Sequence, residues 1–164
     1  MTPEQQGRTA PWAKALGAVL LALVVTLVVS WRVADSRESD REHTAFENTR
    51  DDARRFADDL VARVVTRGGT LSRQDVQATL ETATGNGRGN GLLYELVSAD
   101  GRTQAVVRFS RVYERSASLF GPAESMAKRC FTVELPTSAP TQESVRIIAH
   151  DADESCTEVA AGVG

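Results

Sequence analysis

The sequence predicts an α+β fold: a single transmembrane helix, then a helical stalk and a short helix packed on a four-stranded antiparallel sheet. Three observations carry this expectation. Residues 15–31, ALGAVLLALVVTLVVSW, contain no charged group. Residues 32–67 are densely charged but keep an apolar residue every three or four positions. From residue 92 onward the apolar period changes to two, the spacing of half-buried strands.

The apolar run comes first. Seventeen helical residues rise roughly 25 Å at ~1.5 Å each, against a bilayer core of about 30 Å. Trp12 and Trp31 extend the run to about 28 Å and are candidate interfacial anchors, flanked by Lys14 and Arg32. Residues 12–33 are therefore expected to be a transmembrane signal-anchor helix, with residues 1–11 as a cytoplasmic tail. The alternative is a secreted protein released by cleavage near Ser30, for which Val28-Val29-Ser30 offers small residues. The run is longer than an ordinary signal-peptide core, which favours the anchor.

Averages conceal this segmentation. The chain has 164 residues, a net charge of -3 and 25% charged residues, and it reads as an ordinary globular domain. Split by region, residues 1–14 carry +1, residues 15–31 carry none and residues 32–164 carry -4. An acidic domain without basic clusters excludes a general nucleic-acid binder. Lysine is almost absent: Lys14 and Lys128 are the two, and every other basic residue is arginine. With many Ala, Val and Gly codons, this suggests a bacterium with a GC-rich genome. The domain is then expected on the envelope side, with the N-terminus cytoplasmic. The short basic head followed by an apolar run and a long tail supports that order, although counting Lys and Arg alone does not.

Residues 34–68 are expected to form a charged amphipathic juxtamembrane helix. Phe46, Ala53, Phe56, Ala57, Leu60 and Val64 share one face, and Arg50, Asp51, Arg54, Asp58 and Asp59 occupy the other. Gly68-Gly69 is a stop signal after Arg67. Asp35 with Glu38, or Ser39 with Glu42, are possible capping boxes that would break the helix from the membrane segment. The stripe is expected to pack on the sheet of its own chain. The alternative is a homodimer through residues 46–64, for which the heptad signal is short.

Residues 69–164 are expected to be the extracytoplasmic α+β domain with a flexible C-terminal tail. Ser72 and Asp75 have capping-box spacing, and Leu71 with Val76 forms a hydrophobic staple, so residues 73–83 should be helical. Gly85 ends that helix. The glycine-rich stretch 85–91, including Arg88, is expected to be a flexible connector. Strands are expected at 92–98 and 103–113, joined by an Asp100-Gly101 turn. Two more are expected at 131–135 and 145–150, with residues 114–129, including Gly121-Pro122, as a long connection.

Cys130 and Cys156 are expected to form a disulfide, because antiparallel pairing of the last two strands brings them together. Closing a loop of about 27 residues is worth roughly 3–4 kcal/mol on loop-closure entropy. An oxidising envelope permits it. No catalytic, cofactor-binding or metal-ligating set is expected. His150, Asp151, Asp153 and Glu154 match no zinc or EF-hand spacing, and no nucleophile motif is present.

The expected function is therefore a single-pass, membrane-anchored interaction or assembly module of the cell envelope, not an enzyme. Its partners would be the lipid bilayer and an envelope or membrane protein, with no nucleic acid. The alternative is a partner-dependent small-molecule sensor domain. The plan of membrane helix, helical stalk, four-stranded sheet and late disulfide resembles pilins and pseudopilins in architecture. Their processing glycine before the apolar run, and the acidic residue at its fifth position, have no counterpart here. Gly7 is followed by Arg8, Thr9 and Ala10, and no acidic residue lies between Glu4 and Asp35.

Overall fold

The computed structural model describes residues 11–68, 71–85, 89–115 and 123–163. Residues 1–10, Gly69, Arg88 and Gly121-Pro122 lie outside them. The first element is one uninterrupted helix, α1, Pro11–Arg67, of 57 residues. At ~1.5 Å per residue it is about 85 Å long. Neither candidate break at Asp35 or Ser39 occurs. A proline at the first helical position costs no hydrogen bond, because that N–H has no partner inside the helix. Gly68 ends the helix with φ +72° and donates its N–H to the Val64 carbonyl.

The second helix, α2, spans Arg73–Ala83 and starts as its spacing dictates. Asp75 donates its backbone N–H to the Ser72 hydroxyl oxygen, and the Ser72 N–H returns to the Asp75 carboxylate. Leu71 and Val76 are both buried beside this cap. Hydrogen bonding from Ser72, reinforced by Arg67, holds the Asp75 carboxyl below its ordinary range.

Four strands follow as an antiparallel meander: β1, Gly89–Ala99; β2, Arg102–Glu114; β3, Glu124–Pro136; β4, Arg146–Ala149. The β1–β2 turn has positive φ at both Asp100 and Gly101, as a two-residue hairpin with the right-handed strand twist requires. Three strands outrun their expected limits. β1 begins at Gly89, inside the stretch expected to be a connector. Gly91 is closely packed there: a Cβ would stand 3.1 Å from the Leu80 side chain and 3.3 Å from Phe109, so either neighbour would have to yield by a few tenths of an ångström. A glycine that reads as flexibility in sequence serves close packing of helix on strand. β3 begins at Glu124, not near Phe131, because pairing with β2 continues from Leu135 opposite Thr103 to Glu124 opposite Glu114.

One face of the sheet carries the main core. Ala105, Val107, Phe109, Phe131, Val133 and Leu135 lie against Ala53, Phe56, Ala57, Leu60 and Val64 of α1 and against Val76 and Leu80 of α2. Phe109 stands at its centre, edge-on to Phe56 and to Phe131 with ring centroids 5.9 Å apart in both pairs. The stripe expected on α1 thus packs within its own chain. Phe46 is half-buried at its margin, and Thr49 is fully buried in the stripe.

The other face was expected to meet solvent. Instead Val106 is fully buried and Thr132 nearly so. Cover comes from a third helix, α3, Cys156–Ala161, which packs on β1 and β2 with Val159 inward. The chain end expected to be a flexible tail therefore contains this helix. Its sequence is short and weakly patterned, and its packing site exists only once the sheet has formed.

Two outcomes follow. Phe109→Ala is expected to lower stability by about 3–5 kcal/mol, since it opens a cavity between two other rings; denaturant melts of the full chain in detergent measure it. Asp75→Asn should be destabilising at neutral pH, and its deficit should vanish on acidification. The native carboxyl has a lowered pKa, so its contribution is complete above the ordinary carboxylate range and is lost as pH falls through the native value. In paired thermal melts the gap should be constant above the ordinary carboxylate range and narrow progressively as pH falls below it; a gap that does not narrow would count against the capping role.

Candidate functional site

The apolar segment is the first functional feature. From Leu16 to Val33 of α1, the large apolar side chains are 44% to 71% exposed, and among the described residues none of them is buried. An apolar surface this extensive on a water-soluble domain would be an aggregation site. The helix is long and apolar enough there to cross a bilayer. Trp12 and Trp31 are about 70% and 71% exposed at its two ends, with Lys14 and Arg32 beside them. Thr26, a polar group within it, donates its hydroxyl to the Ala22 carbonyl at 2.8 Å and so brings no unsatisfied donor.

The second feature is the junction between this helix and the sheet. Asp52 is fully buried on α1 and accepts from both Nε and Nη2 of Arg111 on β2, with Nε 2.7 Å from Oδ2. Arg55, one helical turn on, donates to the same carboxylate at 2.6 Å. Arg111 also donates to the Thr84 carbonyl at the end of α2. One buried carboxylate thus ties α1, α2 and β2 together, and its hydrogen bonds raise the affinity of Arg111 for its proton. Nearer the apolar segment, Arg115 donates to Glu38 at 2.7 Å, and Arg41 donates to the Glu114 carbonyl at 3.1 Å. Partners on α1 rise from 38 through 52 to 56 while those on β2 fall from 115 through 111 to 109. The helix and the strand therefore run antiparallel, and the 115 end of the sheet lies toward the apolar segment. An open groove of about 410 Å³ lies in this junction, between Arg41, Thr44 and Asn48 on the helix and Arg111 and Tyr113 on the strand.

The third feature is the cysteine pair. Cys130 on β3 and Cys156 at the start of α3 sit at disulfide-bonding distance, their Cα atoms 5.5 Å apart. The bond would fasten α3 to the sheet. Beside it the His150 ring is engaged at both nitrogens, Nε2 with the Thr132 hydroxyl at 2.9 Å and Nδ1 with Glu154 at 3.4 Å. Among the described residues no group of three His, Cys, Asp or Glu is arranged to hold a metal ion.

Of the residues singled out in sequence, the structure brings Cys130 and Cys156 together and sets Trp12 and Lys14 at the opposite end of the apolar segment from Trp31 and Arg32. Sequence reading missed Asp52 and Arg111. One signal was available: Asp52 lies three residues after Thr49 and four before Phe56, so it falls on the apolar stripe rather than on the charged face. A charge in that position requires a partner from elsewhere.

No family model, curated protein or solved structure matches this chain.

Asp52→Asn is expected to cost about 2–4 kcal/mol, because it strands the Arg111 guanidinium against an uncharged partner. Equilibrium unfolding of the full chain measures this. A variant as stable as wild type would show that the pair contributes specificity rather than stability.

Proposed function

We propose that this chain is a single-pass membrane protein of the bacterial cell envelope. Residues 15–31 span the bilayer with the N-terminus inside, and the α+β domain stands outside as an interaction or assembly module. One observation carries this reading: the helix whose apolar segment is unburied among the described residues is the same helix that walls the core of the domain. With no break between them, the domain is held at a fixed attitude to the membrane surface rather than on a loose tether. A rigidly held domain suits the docking of a partner at a defined height.

Further support comes from the cysteines, since a disulfide belongs in an oxidising compartment. Helical structure continues through Ser30 and Trp31, which favours a retained anchor over cleavage near Ser30. The sheet adds an available surface: β1, 11 residues long, is an edge strand with β2 on one side. Such an edge is a usual place for strand addition by a partner.

Topology is tested by treating whole cells with a membrane-impermeant maleimide. Cys130 and Cys156 should be protected until a reductant is added and then become labelled without lysis. Labelling that needs lysis would overturn the outward orientation, and labelling of intact cells before reduction would overturn the disulfide. The membrane anchor is tested by alkaline carbonate extraction: the full-length chain should stay in the pellet, with its N-terminal peptide present by mass spectrometry.

A further inference from the structure

The two faces of the sheet are packed independently. The main core lies between the sheet and the pair α1 and α2, and Val106, Cys130, Cys156 and Val159 have no place in it. All four are buried on the opposite face, around α3. α3 is six residues long, too short to hold helical structure by itself. Its first residue is Cys156, which meets Cys130 of β3, and Val159 is the one large apolar side chain it buries. The polar tie beside it is weak: Glu154, half exposed, meets His150 Nδ1 at 3.4 Å. The cysteine pair is therefore the principal fastening of α3, and the main core does not depend on it.

The pair is also placed for exchange. Both cysteines line a cavity of about 200 Å³ on this face, with Tyr94 and Glu154 at its wall. Cys156 is 6% exposed and Cys130 2%, so Cys156 is the sulfur that an entering thiolate meets first. Cys130 stands directly opposite Arg108 in the ladder, and Lys128 lies two residues back on the same strand and face. Cations beside a sulfur favour its thiolate, and the more stable thiolate is the better leaving group. We propose that the Cys130–Cys156 bond is a redox latch on α3, opened by a dithiol of the envelope; this rests on the bonded, outward-facing pair of the reading above. The entering thiolate attacks Cys156 Sγ, the bond between the two cysteines breaks, and its electron pair leaves on Cys130 Sγ. The second thiol of the dithiol, deprotonated, then attacks the mixed disulfide and releases Cys156 as a thiolate. The dithiol ends as a disulfide, and the two protons it gives up to water are matched by those the two cysteine thiolates take. Reduction frees α3 and uncovers Val106 while the main core stands. The oxidation state of one cysteine pair thus decides whether the outer face of β1 and β2 is covered.

The full chain in nanodiscs is first alkylated without reductant to establish the bond. It is then treated with dithiothreitol without denaturant, and hydrogen exchange is read by mass spectrometry. Complete reduction is expected, with exchange across residues 156–161 faster by roughly tenfold or more and exchange across 53–64 and 131–135 within about twofold. Cys130→Ala combined with Cys156→Ala should give the same pattern with no reductant. Glutathione, a monothiol, should leave a mixed disulfide on Cys156 and a free Cys130. Lys128→Gln, at an exposed position, should slow that step about threefold. A bond that resists dithiothreitol until denaturant is added, or unchanged protection of α3 after reduction, would overturn the latch. So would loss of protection across 53–64, which would make the bond a staple of the whole fold. A mixed disulfide on Cys130 would overturn the order of attack. Alkylation of both cysteines before any reductant would overturn the bond itself, whereas the other failures leave the bond and the topology standing.

Discussion

The apolar face of the sheet must be covered, and the short α2 cannot cover it. Eleven helical residues reach about 16 Å, whereas the central strands β2 and β3, at 13 residues each, extend roughly 43 Å. The distal half of α1 fills the remainder, laying Ala53, Phe56, Ala57, Leu60 and Val64 on Phe109, Phe131 and Val133. Because α1 is unbroken, this burial also sets the direction of its apolar half. Packing in the core and the attitude of residues 15–31 are thus one constraint, and the Asp52–Arg111 pair fixes the register in which it is met.

α1 changes character along a single axis. Residues 15–31 are exposed and apolar, with none of their large apolar side chains buried against the described residues. Beyond residue 32 the same helix becomes amphipathic, with one face in a protein core and the other in water. The transition is marked by an ion pair and a hydrogen bond rather than by a hinge: Glu38 with Arg115, then Arg41 with the Glu114 carbonyl. Each is exposed and individually weak. Their value lies in being placed where a break in the helix would otherwise let the domain swivel.

The second sheet face is organised by a different device. Cys130 and Cys156 bring α3 onto β1 and β2, where it buries Val106 and shelters Thr132. This covers only part of the face, and beside it Tyr94, Arg108 and Lys128 border a cavity instead of a core. The two faces thus differ: one carries the core against α1 and α2, the other is covered in part by α3.

Much of this was legible in the residues themselves. The charge-free run, the capping box at Ser72, the Asp-Gly turn and the alternation in β2 are local properties, each decided by neighbours within a few positions along the chain. The sequence by itself therefore determined an apolar segment followed by an amphipathic helix and an antiparallel sheet, and it placed the two cysteines on adjoining elements. What the tertiary structure alone decided were the matters that depend on distant residues. α1 runs unbroken past residue 35, where Arg115 from beyond the end of β2 pairs with Glu38. Whether Gly91 is loop or strand depends on Leu80 pressing against it, and whether residues 156–161 fold depends on a sheet face waiting to be covered. Asp52 shows the division most clearly: its position on the apolar stripe could be read, but the partner that makes its burial tolerable lies 59 residues away on β2. Short-range preference writes the elements; long-range pairing of charge and close packing decides how far each one runs.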